Sequence, residues 1–255
     1  MLIIISPAKN LNFKPQSVLK EYTIPVFTER SAKLVDILRK KSPLEIARLM
    51  HISQDLADLN FQRYLQWNLP FTNQNAKQAL LAFNGEVYNG LKASSFESED
   101  FYFAQDHMRI LSGLYGVLRP LDLIQSYRLE MGCKLVNPNG KDLYQFWGEL
   151  VTQTLNEVLK EDKIPVLINL ASAEYFKSIK PKKLKARIIH IEFLENKNNQ
   201  YKTIVVYTKK ARGMVSRFVI KNKLSDPEDL KAFDCDGYIY NERLSSSDNW
   251  IFTRR

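Results

Sequence analysis

Apolar residues between positions 28 and 67 recur every three or four residues, which predicts a series of helices. Ser42 is followed by a proline and, three residues on, by Glu45, and these are the elements of a capping box at a helix start. Ser53 is the expected N-cap of the next helix. The leucines expected to face inward from that helix are Leu56, Leu59 and Leu65. We interpret this region as scaffold.

Two buried strands are predicted, at Leu2–Ile5, a continuous apolar run, and at Pro165–Leu170, which is mostly apolar. Residues 187–195 and 201–208 alternate between apolar and polar side chains and are joined by a polar tetrapeptide, a pattern that predicts a β-hairpin. Terminal strands are predicted at 238–241 and 250–253.

Further helices are predicted between these strands. They cover residues 75–83 and 142–161, and one begins at Lys209. We find no linker, repeat or low-complexity segment between the elements. The sequence therefore predicts one domain over residues 1–255, of mixed α/β (α+β) class, with central strands surrounded by helices.

The middle of the chain carries a Gly-rich turn. Helical spacing over residues 98–111 is followed by Gly113 and Gly116, after which apolar spacing resumes, so the prediction is helix, turn, short helix. Arg109 and Arg119 flank the turn. The local pattern favours a plain αα-corner. The alternative is an anion site, in which backbone N–H groups of the turn face a DNA phosphate.

Charge is unevenly distributed. The chain has a net charge of +9, and residues 177–223, the basic segment, contain fourteen Lys or Arg and two acids, a net +12 against −3 for the remainder. Such a distribution predicts a polyanion as partner, with a solvated, solubilising surface as the other interpretation. The two cysteines form no CxxC pair and no run reaches membrane-spanning length, so a cytoplasmic protein without a membrane partner is expected.

Candidate chemistry follows the two buried strands. Lys9 comes just after the first strand, and Ser172 and Glu174 come just after the second, where α/β proteins place ligands. Ser172 and Glu174 could form a catalytic pair, but helix capping and a favourable first-turn charge explain both residues, so no catalytic residue is predicted. The three histidines are scattered, so we expect no metal site, no stoichiometric iron or zinc, and no cofactor.

Three cations stand where a helix is predicted to begin. Lys209, Lys210 and Arg212 would lie at or before its first turn, where positive charge opposes the helix dipole. An anion bound there would offset that cost.

Several motifs together carry a resemblance over essentially the whole chain. They are Ser6–Lys9, Phe83–Tyr88, Ser112–Asp122, Tyr127–Gly132, Lys141–Trp147, Asn169–Ser172 with Glu174–Lys177, and Lys209–Gly213. In these motifs the chain resembles the bacterial peroxide stress protein YaaA family. The resemblance implies a family-specific mixed α/β fold with a positively charged cleft and a helix-hairpin-helix element. It also implies DNA binding, a role in the response to hydrogen peroxide and a link to limiting free iron, with no established catalytic activity. One departure is that such a hairpin usually reads Gly-apolar-Gly, whereas two residues separate the glycines here.

The sequence therefore predicts a DNA-binding protein of the peroxide response, which binds duplex or branched DNA largely without sequence specificity. The basic residues between Lys177 and Arg217 are expected to converge with Lys9 and Arg128 on one concave face. The candidate contact residues are Lys9, Arg109, Gly113, Tyr115, Gly116, Arg119, Arg128, Lys177, Lys180, Lys182, Lys183, Lys209, Lys210, Arg212 and Arg217. An enzyme acting on a nucleotide or nucleic acid in the same cleft is the main alternative, and direct iron handling is a weaker one.

Overall fold

Helices and strands are interspersed along the chain. The computed structural model describes residues 1–14, 19–198 and 200–254. Its helices are α1 (Thr28–Arg39), α2 (Pro43–Met50), α3 (Gln54–Gln66), α4 (Ala79–Ala82), α5 (Glu86–Leu91), α6 (Ser98–His107), α7 (Leu143–Trp147), α8 (Leu150–Leu159), α9 (Ala173–Phe176) and α10 (Val205–Lys221). Its strands are β1 (Leu2–Ile5), β2 (Asn10–Leu11), β3 (Lys77–Gln78), β4 (Phe83–Asn84), β5 (Met108–Ser112), β6 (Gly116–Leu118), β7 (Leu123–Ile124), β8 (Val166–Leu170), β9 (Arg187–Lys197), β10 (Gln200–Lys202), β11 (Tyr238–Tyr240) and β12 (Asn249–Arg254).

The central sheet is mostly parallel, with strand order β11-β12-β9-β8-β1-β5-β6. Strand β1 pairs in parallel with β5 on one side and with β8 on the other. The short edge strands β6 and β11 are antiparallel to their neighbours, and β10 forms a hairpin with β9. Helices flank the sheet, so the predicted mixed α/β class with central strands is confirmed. The predicted strands at the start of the chain, at 165–170 and near the carboxyl end are also confirmed.

The predicted helical region from residue 28 to residue 67 forms three helices. Ser42 makes the complete capping box with Glu45, and the Ser53 hydroxyl accepts from the Leu56 backbone N–H, as expected. The inward face predicted for α3 is wrong. Its buried residues are Ala57, Asn60 and Tyr64, whereas Leu56, Leu59 and Leu65 are exposed.

The middle of the chain is a β-hairpin where we predicted a helix-hairpin-helix. Helix α6 ends at His107, and residues 108–112 continue as the central strand β5, paired with β1 and with β6. The apolar run there is buried on both faces, as a central parallel strand requires, and this pairing overrides the helical spacing. Gly116 adopts a φ of +72°, and a Cβ on it would lie 2.8 Å from Cζ3 of Trp147.

Several predicted boundaries are wrong for local reasons. The helix expected over 142–161 is broken at Gly148, where φ is +54°. Residues 75–83 form β3, α4 and the start of β4, and the alternating stretch after β10 is already helical from Val205. The part of the basic segment around Pro181 contains a 3-10 helix at Pro181–Lys183.

Helices α5 and α10 touch through their backbones. A Cβ on Gly213 would lie 1.8 Å from the Val87 carbonyl oxygen, and a Cβ on Gly90 would lie 2.1 Å from that of Lys210. Only glycine permits so close an approach from both helices. The contact fixes the middle of α10 against α5, next to the loop that follows β4.

Within residues 1–14, 19–198 and 200–254, no helix is long and apolar enough to cross a membrane.

Candidate functional site

A cavity lies at the carboxyl ends of β1 and β8. Within the central sheet, the next strand along the chain after β1 is β5, which pairs with β1 on one side. The next strand after β8 is β9, which lies on the other side. The connections that leave these two neighbouring strands therefore run in opposite directions. Such a switch point in the strand order is where open α/β sheets bind ligands. The cavity has a volume of about 270 Å³. Its walls come from residues 6–10, 84–88, 127–130, Ser172, Glu174, Tyr175, Lys209 and Arg212.

Four cations from three parts of the chain line this cavity: Lys9, Arg128, Lys209 and Arg212. The Lys9 ammonium lies 2.9 Å from one oxygen of Glu130, and the Arg128 guanidinium lies 2.9 Å from the other. One carboxylate therefore serves two cations. In the described part of the chain, no ion pair within 4.0 Å involves Lys209 or Arg212. The cation group thus has a surplus of positive charge.

Two guanidinium nitrogens of this group are buried without an acceptor. Within the described ranges, the buried side-chain polar atoms that lack a hydrogen-bond partner are Nε of Arg128, Nε of Arg212 and Oγ1 of Thr208. The first two belong to cavity residues, and Thr208 precedes Arg212 by one turn of α10. Burial lowers the pKa of the Arg212 guanidinium, with Glu192 opposing the shift. Because buried donors are nearly always paired, these atoms are open to a further partner, such as an ordered water or a ligand.

Hydroxyl groups join the two strand ends. The Ser6 hydroxyl accepts from the Ser172 backbone N–H at 2.9 Å and donates to the Ser172 hydroxyl at 3.3 Å. The Tyr88 hydroxyl donates to the Ser6 carbonyl at 3.1 Å. Ser172 precedes α9 as predicted, but its side chain makes no capping hydrogen bond, because its hydroxyl is directed to Ser6.

Glu174 is held by backbone contacts. Its Oε1 accepts from the Gly132 N–H at 2.8 Å, and its carbonyl accepts from the Tyr144 hydroxyl at 3.0 Å. The hydrogen bonds of the described residues do not join Glu174 to Ser172, and the ring of His190 bonds to Asn169 instead. No Ser–His–acid relay is therefore formed among them.

Three tyrosines form apolar walls with polar tips. Tyr88, Tyr127 and Tyr175 are buried, and burial raises the pKa of each phenol above its ordinary value. The Tyr127 hydroxyl lies 2.7 Å from the Ser112 hydroxyl. These phenols stay neutral at physiological pH, so they act as hydrogen-bonding groups and ring surfaces.

The structure brings together only some of the predicted contact residues. Lys177 lies over the Tyr144 ring, 4.8 Å from its centroid, and Lys183 pairs with Glu149. Lys182 is exposed, and the backbone N–H of Lys180 donates to Thr152. Of the residues expected to converge on one concave face, Lys9, Arg128, Lys209 and Arg212 line the cavity, while Lys177, Lys180, Lys182 and Lys183 lie outside its lining.

Other predicted residues serve the fold. The buried Arg109 donates to the carbonyls of Gln105 and Met108, and Arg119 pairs with Asp122. Arg217 donates to the carbonyls of Leu91 and Lys92, and Lys210 approaches Asp236 at 3.4 Å.

The residues of the predicted DNA hairpin, Gly113, Tyr115 and Gly116, are all buried.

The helix-start argument for a bound anion is wrong. Helix α10 begins at Val205, so Lys209, Lys210 and Arg212 lie beyond its first turn, and the helix dipole does not oppose them as supposed. The case for an anion rests on the unpaired guanidinium nitrogens.

Sequence reasoning missed Ser6, Tyr88, Tyr127 and Glu130 as cavity residues. Ser6 follows a strand directly, the same signal that identified Lys9. Glu130 gave no signal, because its position depends on how the loop after β7 folds back onto the switch point.

The two thiols differ in environment, which allows a labelling test. Cys133 is buried, and burial raises the pKa of its thiol to about 12, whereas Cys235 is exposed. We expect iodoacetamide at pH 8 to modify Cys235 faster than Cys133 by roughly a hundredfold or more, since the thiolate is the reactive form. Peptide mass spectrometry over a time course measures both rates, and urea should equalise them. Equal rates in the folded protein would contradict the buried position of Cys133.

Among the described residues, no three His, Cys, Asp or Glu side chains are grouped so as to hold a metal ion.

The fold and the cavity define a mixed α/β protein with a cation-lined site at the switch point of its sheet. The chain belongs to the peroxide stress protein YaaA family, whose model matches residues 1–244. It is 55% identical over 255 residues to a UPF0246 protein of Ralstonia pickettii (strain 12J), covering 100% of this chain and 99% of that protein. It is 54% identical, with the same coverage, to a UPF0246 protein of Colwellia psychrerythraea. The resemblance noted in the sequence is thereby confirmed.

Proposed function

We propose that this protein binds DNA through its phosphates during the response to hydrogen peroxide, and that the switch-point cavity supplies central contacts. The observation that carries the proposal is the pair of buried, unpaired Nε atoms of Arg128 and Arg212 beside two lysines. Guanidinium nitrogens that lack an acceptor are matched by phosphate oxygens, which accept charge-assisted hydrogen bonds. Membership of a peroxide stress family supports the cellular setting.

The rest of the basic segment supports the same partner. Its net charge of +12 raises the local concentration of any polyanion, including DNA. Exposed cations outside the cavity, such as Lys182, would add peripheral phosphate contacts. Phosphate contacts alone give binding without sequence preference.

The proposal predicts a steep salt dependence. With about four to six phosphate contacts, the slope of log K against log salt on duplex DNA should be about −4 to −5. We expect Lys209→Ala to flatten this slope by about 1 and to weaken binding to all sequences alike. The neighbouring Lys210→Ala is the matched control, because Lys210 lies on the same helix but approaches Asp236 instead of lining the cavity.

Fluorescence anisotropy with duplex, branched and single-stranded probes at four or more salt concentrations measures these slopes. A wild-type slope near zero would contradict the proposal. Equal effects of the two lysine variants would remove the cavity from the DNA contact surface.

A second candidate is an enzyme acting on a nucleotide or nucleic acid in the same cavity. It is favoured by the presence of Glu130, Glu174 and two serine hydroxyls at the switch point, where catalytic groups of α/β enzymes gather. Incubating the protein with DNA and nucleotides, with and without Mg²⁺, tests it. A product that disappears in Glu174→Gln, while that variant keeps its fold, would support it, and the absence of any product would contradict it.

A further inference from the structure

We propose that the cavity binds a phosphate monoester end-on: the terminal phosphate of a DNA strand or of a free nucleotide, in preference to an internal phosphodiester. The inference rests on the proposed function, since it assumes that nucleic-acid phosphate is the ligand class, and it narrows that class.

The position of the unpaired donors favours a terminal group. Nε of Arg128 and Nε of Arg212 are buried, and the side chains that carry them line the cavity, so a ligand meets these cations from the cavity side. An internal phosphate of a duplex has a sugar on each side, and a space of about 270 Å³ does not admit these flanking parts of the duplex. A terminal phosphate is attached to the nucleic acid on one side only, so it can enter the cavity with its three free oxygens first.

The cavity lining carries a net positive charge. Its cations Lys9, Arg128, Lys209 and Arg212 stand against the carboxylates Glu86, Glu130 and Glu174, a net +1. A net positive lining suits a phosphate of either kind. A monoester is favoured by its acceptors, because a terminal phosphate presents three strong acceptor oxygens to these cations.

The other two carboxylates of the cavity are engaged by other groups. Glu174 accepts from the Gly132 N–H at 2.8 Å, and Glu86 accepts from the side-chain amide of Asn89 at 3.2 Å. Neither forms an ion pair with the cation group within 4.0 Å. They can accept hydrogen bonds from the sugar or base that follows the phosphate.

The cations on α10 are held in place before any ligand arrives. The glycine contacts between α5 and α10 fix the backbone at Lys210 and Gly213, on either side of Arg212. A site whose donors are already positioned loses little conformational entropy on binding, which favours a small ligand with few contacts.

The test compares ligands that differ only in the terminal phosphate. Identical single-stranded and duplex oligonucleotides would carry a phosphate or a hydroxyl at the 5′ end, and separately at the 3′ end. Thymidine monophosphate and thymidine would be the free competitors, and a closed circular duplex would provide DNA without ends. We expect a terminal phosphate to tighten binding by about tenfold or more, as charged hydrogen bonds do. Thymidine monophosphate should compete and thymidine should not.

Two variants locate the effect. Arg212→Gln and Lys9→Ala should each reduce the phosphate advantage several-fold, and Lys182→Ala, an exposed cation outside the cavity lining, should preserve it. Lys9 is largely exposed, so its variant is expected to fold even if Arg212→Gln does not. Thermal unfolding of each variant reports on folding.

The outcomes separate this inference from the DNA proposal. If DNA binds with a steep salt slope, but terminal phosphate changes nothing and the closed circle binds as tightly, the inference is overturned and the DNA proposal stands. If thymidine monophosphate binds and DNA does not, the monoester site stands and the DNA proposal fails. If neither ligand binds, both are overturned.

Discussion

Replacing Gly213 with alanine is expected to lower the free energy of unfolding by about 3 kcal/mol or more, the upper range for overpacking a tight contact. A Cβ there would lie 1.8 Å from the Val87 carbonyl oxygen and 2.8 Å from the Leu91 backbone nitrogen. Since both neighbours are backbone atoms of α5, the two helices must separate to accommodate the methyl group. Arg212 would move with α10, so DNA binding should weaken as well.

Urea denaturation measures the loss, with Gly148→Ala as the matched control. At Gly148 the nearest atom to a new Cβ is 3.8 Å away, so that variant bears only the cost of its backbone conformation (φ +54°, ψ −111°), about 1–3 kcal/mol. If Gly213→Ala were no more destabilising than Gly148→Ala, the close approach of α5 and α10 would be wrong.

Gly116→Val should cost about 4 kcal/mol of stability, the sum of a strained backbone and an overpacked contact. Gly116 has a φ of +72°, which a β-branched residue rarely adopts, and its Cβ would lie 2.8 Å from the Trp147 ring. Because Gly116 is buried, the substitution should act on folding and leave no separate loss of DNA contact.

Unfolding curves and DNA affinity measured on the same Gly116→Val protein test this, with affinity corrected for the folded fraction. In a double-mutant cycle, Gly116→Ala combined with Trp147→Leu should cost less than the sum of the two single variants, because the ring that opposes the new Cβ is gone. A variant that folded normally and lost only its DNA affinity would return Gly116 to a surface role.

The sequence predicted those elements whose pattern has one structural solution. Leu2–Ile5 is a short apolar run, residues 166–170 are apolar except for Asn169, and Ser42 has its capping partner in place, so local chemistry sufficed. Residues 108–112 fit both a helical and a strand pattern, and their state depends on pairing with β1, more than 100 residues away. Local spacing cannot decide between these solutions.

The site was predictable only in part for the same reason. Lys9 and Ser172 could be identified because each directly follows a recognisable strand. That Arg212 would reach them depends on the backbone contact between α5 and α10, and that Glu130 would join Lys9 depends on a loop. The basic segment looked like one surface in the sequence, but its cations are divided between the cavity and ion pairs on other parts of the fold, such as that between Arg187 and Asp248.

The central place of β1 has a consequence for synthesis on the ribosome. Strand β1 is made before its partners β5 and β8, which begin at residues 108 and 166. Its backbone groups therefore stay unpaired, and its apolar side chains uncovered, until both partners have been made. At about 5–20 residues per second the second partner emerges roughly ten to thirty seconds later. Such distant pairings slow folding, and an unpaired strand of this kind is a target for chaperones. The switch-point cavity, formed where β1 and β8 end, therefore cannot form until β8 has been made.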